Sequence, residues 1–146
     1  MKTIVISGAK SNVGKTTLAE KVSGLLPGSV CVKLGHGELK EGVNNVFYHA
    51  GTPFATIVEE NTDAEFLIIE SNRVLEEIDP DLVIYLPAND PKPSAGLAEN
   101  RAHLIRGNCD GDMVTRISEK LGVDDVTAAE IVRLACDAGD GSEDGE

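Results

Sequence analysis

The amino-acid sequence predicts a three-layer α/β fold: a mainly parallel sheet with helices on both faces, closed by two short helices. Three observations carry this expectation. Apolar runs rich in Val and Ile alternate with segments of helical period. The first such run passes through a glycine loop straight into an amphipathic helix. The connection that follows has the length expected between a helix and its returning parallel strand.

Each element follows in order. Thr3-Ile4-Val5-Ile6-Ser7 is β-branched and bounded by Gly8, as a buried central strand is. From Lys15 the apolar positions Leu18, Val22 and Leu25 recur at helical spacing until Pro27-Gly28 ends the run. A second strand is expected over 29–34, a loop over 35–45, and a short peripheral strand at Val46-Phe47-Tyr48-His49. Pro53 to Glu60 reads as a helix capped by Thr52, with Pro53 at its first position. Phe66-Leu67-Ile68-Ile69 and Leu82-Val83-Ile84-Tyr85-Leu86 are two more strands, and Ala102 to Arg106 is short enough to be the last. The closing helices are Asp112 to Leu121, stopped by Gly122, and Thr127 to Cys136, whose Thr127 and Glu130 form a capping box.

The chain has 146 residues, 41% hydrophobic and 26% charged, the size and composition of one domain. Residues 1–106 are expected to form the core, 107–136 a helical extension of it, and 137–146 an acidic, disordered tail. No apolar run approaches the ~20 residues that cross a bilayer, and the short apolar N-terminus runs into a glycine loop rather than a cleavage site. A cytoplasmic protein with reduced thiols at Cys31, Cys109 and Cys136 is expected. A net charge of −12 excludes nucleic acid and anionic membranes as natural partners. It leaves room for a small phosphate ligand held by backbone N–H groups and local lysines.

Gly8-Ala9-Lys10-Ser11-Asn12-Val13-Gly14-Lys15-Thr16 approaches the pattern Gly-x-x-x-x-Gly-Lys-[Ser/Thr]: Gly14, Lys15 and Thr16 match, while Ala9 stands at the first glycine of the pattern and Gly8 lies one residue before it. Chance alone yields the three matching positions in roughly one chain in ten of this composition. Strand before and helix after make it specific, because backbone N–H groups from Asn12 through Val13 to Thr16 then converge at the positive end of a helix. Gly8 and Gly14 allow the close approach, Lys15 reaches the β- and γ-phosphates, the Thr16 hydroxyl suits magnesium, and Thr17 serves the α-phosphate. Glu70 ends an apolar strand at the edge where open parallel sheets gather ligands, and is the second candidate for the metal. His36 is a weaker candidate for the γ-phosphate, a solvated loop histidine being the alternative. Asn89 or Asp90 follows the last clear core strand and is a candidate for contacting the base, a polar turn shaped by Pro87, Pro91 and Pro93 being the alternative.

From the glycine loop through Leu86 the chain resembles P-loop NTPases of the group that includes partition and septum-site ATPases and dethiobiotin synthetase. Three stretches resemble the molybdopterin-guanine dinucleotide biosynthesis protein B (MobB) family: Ser11-Asn12-Val13-Gly14-Lys15-Thr16-Thr17-Leu18, Val32-Lys33-Leu34-Gly35-His36 and Ile69-Glu70-Ser71-Asn72. The resemblance implies GTP or ATP with Mg2+ as ligands, and an accessory role beside a partner protein of molybdenum-cofactor maturation. Lys10 resembles the extra lysine of the deviant loop in partition-type ATPases, which reaches the nucleotide of a facing subunit and so implies a homodimer. Ser11 and Asn12 replace that loop's two glycines, and the stretch 38–45 lacks the aspartate both groups carry after the second strand. Slow hydrolysis follows as the expectation, with Lys15, Lys10 and Glu70 as the groups that act on it. A nucleotide-controlled switch and a small-molecule kinase are the alternatives from other classes.

Overall fold

The computed structural model of the chain describes residues 1–8, 14–35, 45–87, 96, 101–106 and 112–137. In chain order these form β1 (Lys2–Gly8), α1 (Lys15–Leu25), β2 (Ser29–Gly35), β3 (Asn45–His49), α2 (Phe54–Glu60) and β4 (Phe66–Glu70). A 3-10 turn (Arg73–Glu76), β5 (Leu82–Leu86), β6 (Leu104–Ile105), α3 (Met113–Leu121) and α4 (Asp125–Asp137) follow. The strands make one sheet in the order β3-β2-β4-β1-β5-β6, and every described pairing is parallel.

Period-two alternation explains the layers. Ile4 and Ile6 of β1, Ile68 of β4 and Leu82, Ile84 and Leu86 of β5 point to one face, where Leu18 and Val22 of α1 meet them. Val5, Leu67, Ile69, Val83 and Tyr85 point to the other, against Ile57 of α2 and Val74 and Leu75 of the 3-10 turn. A strand buried on both faces needs apolar residues at consecutive positions, which is why these runs are continuous in the sequence. The closing helices belong to the same core: Met113, Ile117 and Leu121 of α3 and Ala128, Ile131 and Ala135 of α4 join the first cluster. Gly122, at φ +70°, ends α3 by donating its N–H to Ser118 O.

Six local expectations are corrected. Pro53 is the residue before α2 rather than its first, because its ψ of 144° is extended; its carbonyl accepts from Thr56 and Ile57. Thr52 gives α2 no side-chain cap. Helix α4 starts at Asp125, two residues early, because the Asp124 carboxylate takes the Thr127 N–H at 2.7 Å. Glu130, the other half of the expected capping box, is bound to Arg133 instead. Cys136 is disulfide-bonded, against the expectation of reduced thiols, whereas Cys31 is free and buried, its thiol directed at Ala19 O. Separation along the chain is no bar to pairing once folding brings two thiols together. The expected last strand, 102–106, shortens to Leu104–Ile105 because His103 joins β5 with its ring: Nδ1 accepts the Val83 N–H at 2.9 Å.

Candidate functional site

The site lies where the chain's crossovers part. β1 and β4 are neighbours, yet the chain leaving β1 returns through α1 on one face, whereas that leaving β4 turns into the 3-10 segment on the other. Such a divergence opens a crevice at the carboxyl ends of the two strands. Gly8 ends β1 there and Glu70 ends β4.

Gly14 precedes α1 with φ +98° and ψ 15°, a left-handed conformation that disfavours any side chain. Its carbonyl accepts the Leu18 N–H at 3.0 Å, the first rung of the helix. No side chain caps α1, and its first turn holds no acidic residue. The positive end of the helix therefore meets no carboxylate of its own, the arrangement that suits an external anion. Lys15 and Thr16 are half-buried on this first turn and Thr17 is exposed.

Glu70 and Thr16 meet across the crevice, the Thr16 hydroxyl donating to Glu70 Oε1 at 2.8 Å. Glu70 is 3% exposed, and its second oxygen, Oε2, is buried with no hydrogen-bond partner among the described residues. Burial raises the Glu70 carboxyl above the ordinary carboxylate range; the Thr16 bond and the charges of Lys33 and Lys15 pull it back down without winning. Lys33 reaches this position through the register, which pairs it with Glu70 across β2 and β4. A buried carboxylate with an unused oxygen beside a hydroxyl is the donor set a hydrated Mg2+ takes, because that ion needs only one or two protein oxygens and keeps its waters. Among the described residues no group of three or more His, Cys, Asp or Glu could form a fuller cage.

Two further residues belong here that the motif does not name. The Asn72 carboxamide grips Gly8 on both sides: Oδ1 accepts the Gly8 N–H at 3.0 Å and Nδ2 donates to Gly8 O at 2.9 Å. Arg106, just past β6 and held to β5 by its N–H to Tyr85 O, brings Nη2 to 3.0 Å from where a Cβ on Gly14 would lie. Asn72 stood in the stretch Ile69-Glu70-Ser71-Asn72 that carries the resemblance, with no role given to it there, and the only sequence signal for Arg106 was its position just past a strand. Lys10, Asn12, Val13, His36, Asn89 and Asp90 lie outside the described residues. The structure therefore brings together Gly8, Gly14, Lys15, Thr16 and Glu70 of the expected set, and adds Asn72 and Arg106.

Among the described residues no helix is long and apolar enough to cross a membrane. Comparison with protein-family models, with curated proteins and with solved structures finds no match.

Proposed function

We propose that the chain binds a nucleoside triphosphate, GTP or ATP, with magnesium at the Gly8–Thr17 loop and hydrolyses it slowly. The observation that supports this most is the bond of the half-buried Thr16 hydroxyl to the buried Glu70 carboxylate, whose Oε2 is unused among the described residues, at the start of the helix that follows Gly14. Lys15 carries the charge that meets the β- and γ-phosphates, and backbone N–H groups at the start of α1 orient them. Thr16 and Glu70 hold the metal, Glu70 through Oε2 or a bound water. Magnesium, when bound, neutralises charge on the phosphate oxygens. Arg106 offers a second cation from the same chain, beside the Lys10 that the resemblance assigns to a facing subunit.

Slow turnover follows from what surrounds the pair. Phosphoryl transfer needs positioned charge and an oriented water. Among the described carboxylates, Glu70 is occupied by the metal in this reading, and Glu20, whose charge acts on Glu70, is exposed on α1. The sequence resemblance to the MobB family supports, as part of this proposal, an accessory role in molybdenum-cofactor maturation. Equilibrium titration with GTP and ATP, with and without Mg2+, tests the proposal. Micromolar or tighter binding that weakens at least tenfold without Mg2+, and in Thr16→Ala, is expected. Equal affinity with and without the metal, or no binding of either nucleotide, contradicts it.

A further inference from the structure

Asn72 lies two residues past the end of β4 and is 9% exposed. The parallel ladder between β1 and β4 runs to Ile6 and Glu70, and Ser71 adds one rung by donating its N–H to Ile6 O at 3.2 Å. Beyond that the chain turns away into the 3-10 segment, whose Val74 N–H is taken by the Ser71 hydroxyl. Gly8, which pairs with Leu86 of β5 on its other side, would then lose its partner on this one. The Asn72 side chain fills the place of the missing strand, since a carboxamide carries the same donor and acceptor as a peptide group.

The same three-residue stretch also holds the far end of the loop. Glu70 binds Thr16, eight residues beyond the Gly8 that Asn72 holds. Segment 70–72 thus holds the residues on either side of the loop, Thr16 through the candidate metal carboxylate and Gly8 through Asn72. Catalytic and binding loops gain affinity when their geometry is fixed before the ligand arrives.

We infer that Asn72 is a positioning residue of the nucleotide site, and that segment 70–72 is a clasp through which metal at Thr16 and Glu70 strengthens the hold of the loop on phosphate. This rests on the nucleotide-binding reading above. Asn72 touches neither ligand; it acts through the Gly8 peptide. Without it, the loop's first residue is released from Glu70, and the metal no longer tightens the phosphate grip.

The test is the coupling between two ligands. The affinity for ATP and GTP is measured with and without Mg2+ on wild type, Asn72→Ala and Asn72→Ser, at a temperature where urea unfolding shows each protein folded. The expected result is a tenfold or larger loss of affinity with Mg2+ present, a smaller loss without it, and hence a reduced ratio between the two. A merely structural role lowers both affinities by the same factor and leaves the ratio unchanged, which overturns the inference, as does wild-type affinity in the variants. Either result leaves the nucleotide-binding reading intact, whereas absence of binding by wild type removes both. Should neither variant fold, hydrogen exchange of the Gly8 amide in wild type decides. Slower exchange with nucleotide and Mg2+ than with nucleotide alone supports the clasp, and equal exchange overturns it.

Discussion

At the scale of single residues, the site sets stability against function. Glu70 buries a carboxylate whose Oε2 has no partner, a cost of about 1–3 kcal/mol for an unsatisfied buried polar atom. Glu70→Gln keeps the shape and an acceptor for the Thr16 hydroxyl while removing the charge. It is expected to raise the stability of the ligand-free protein by about 1 kcal/mol in urea unfolding, and to abolish the Mg2+-dependent part of nucleotide binding. A variant less stable than wild type would show that the carboxylate is not strained in the free protein. Gly14→Ala forces a Cβ onto a φ of +98°, at an expected cost of about 1–2 kcal/mol. Arg106 Nη2, the far end of a flexible side chain, stands 3.0 Å from that Cβ and can move aside. The cost of Gly14→Ala should therefore change little in an Arg106→Ala background; near-complete relief would mean the clash, not the backbone, sets it.

Among the elements, the β5–β6 edge depends on a neutral histidine. Burial, with the charges of Lys120 and Arg116, holds the His103 pKa below its ordinary value against the pull of Asp79, and Nδ1 must stay unprotonated to accept the Val83 N–H. As pH falls below about 6.5 the unfolded chain takes up this proton before the folded one does. The contribution of His103 is thus present above that pH and is lost as pH falls through the lowered folded-state value. Wild type should lose stability between about pH 7 and pH 5 relative to His103→Gln; parallel pH profiles would refute this.

The elements also show what could be read from the chain and what could not. The strands were legible because burial on both faces demands apolar residues in a row, and the start of α1 after Gly14 because the sequence changes there from strand to helical period. The start of α4 was not, since Asp124 and Thr127 are both capping residues at the right spacing and only the fold shows which one caps. Asn72 and Arg106 were missed for a different reason. Their roles depend on which strand ends lie beside β1, and the strand order that decides this is set by crossovers rather than by any local pattern.

Across the whole molecule, α3 and α4 share one core with α1 and the sheet, so they stabilise the layer that carries the start of α1. Ile117→Ala, which empties a fully buried position of α3, should cost about 2–5 kcal/mol. Helix and sheet signals should then fall in a single transition; a separate early melting of the helices would show them to be an independent unit. An acidic chain of net charge −12 brings Lys15, Lys33 and Arg106 to the Gly14–Glu70 crevice, the concentration of positive charge that the proposed anion site requires. The central claim is that this anion is a magnesium-bound nucleoside triphosphate. A thermal-shift panel of nucleotides with Mg2+, run on wild type and Lys15→Ala, tests it most directly, because a ligand of the native state must raise its melting temperature. The account predicts a rise with GTP or ATP that is lost in the variant. No rise with any nucleotide, or the same rise in both proteins, would contradict it.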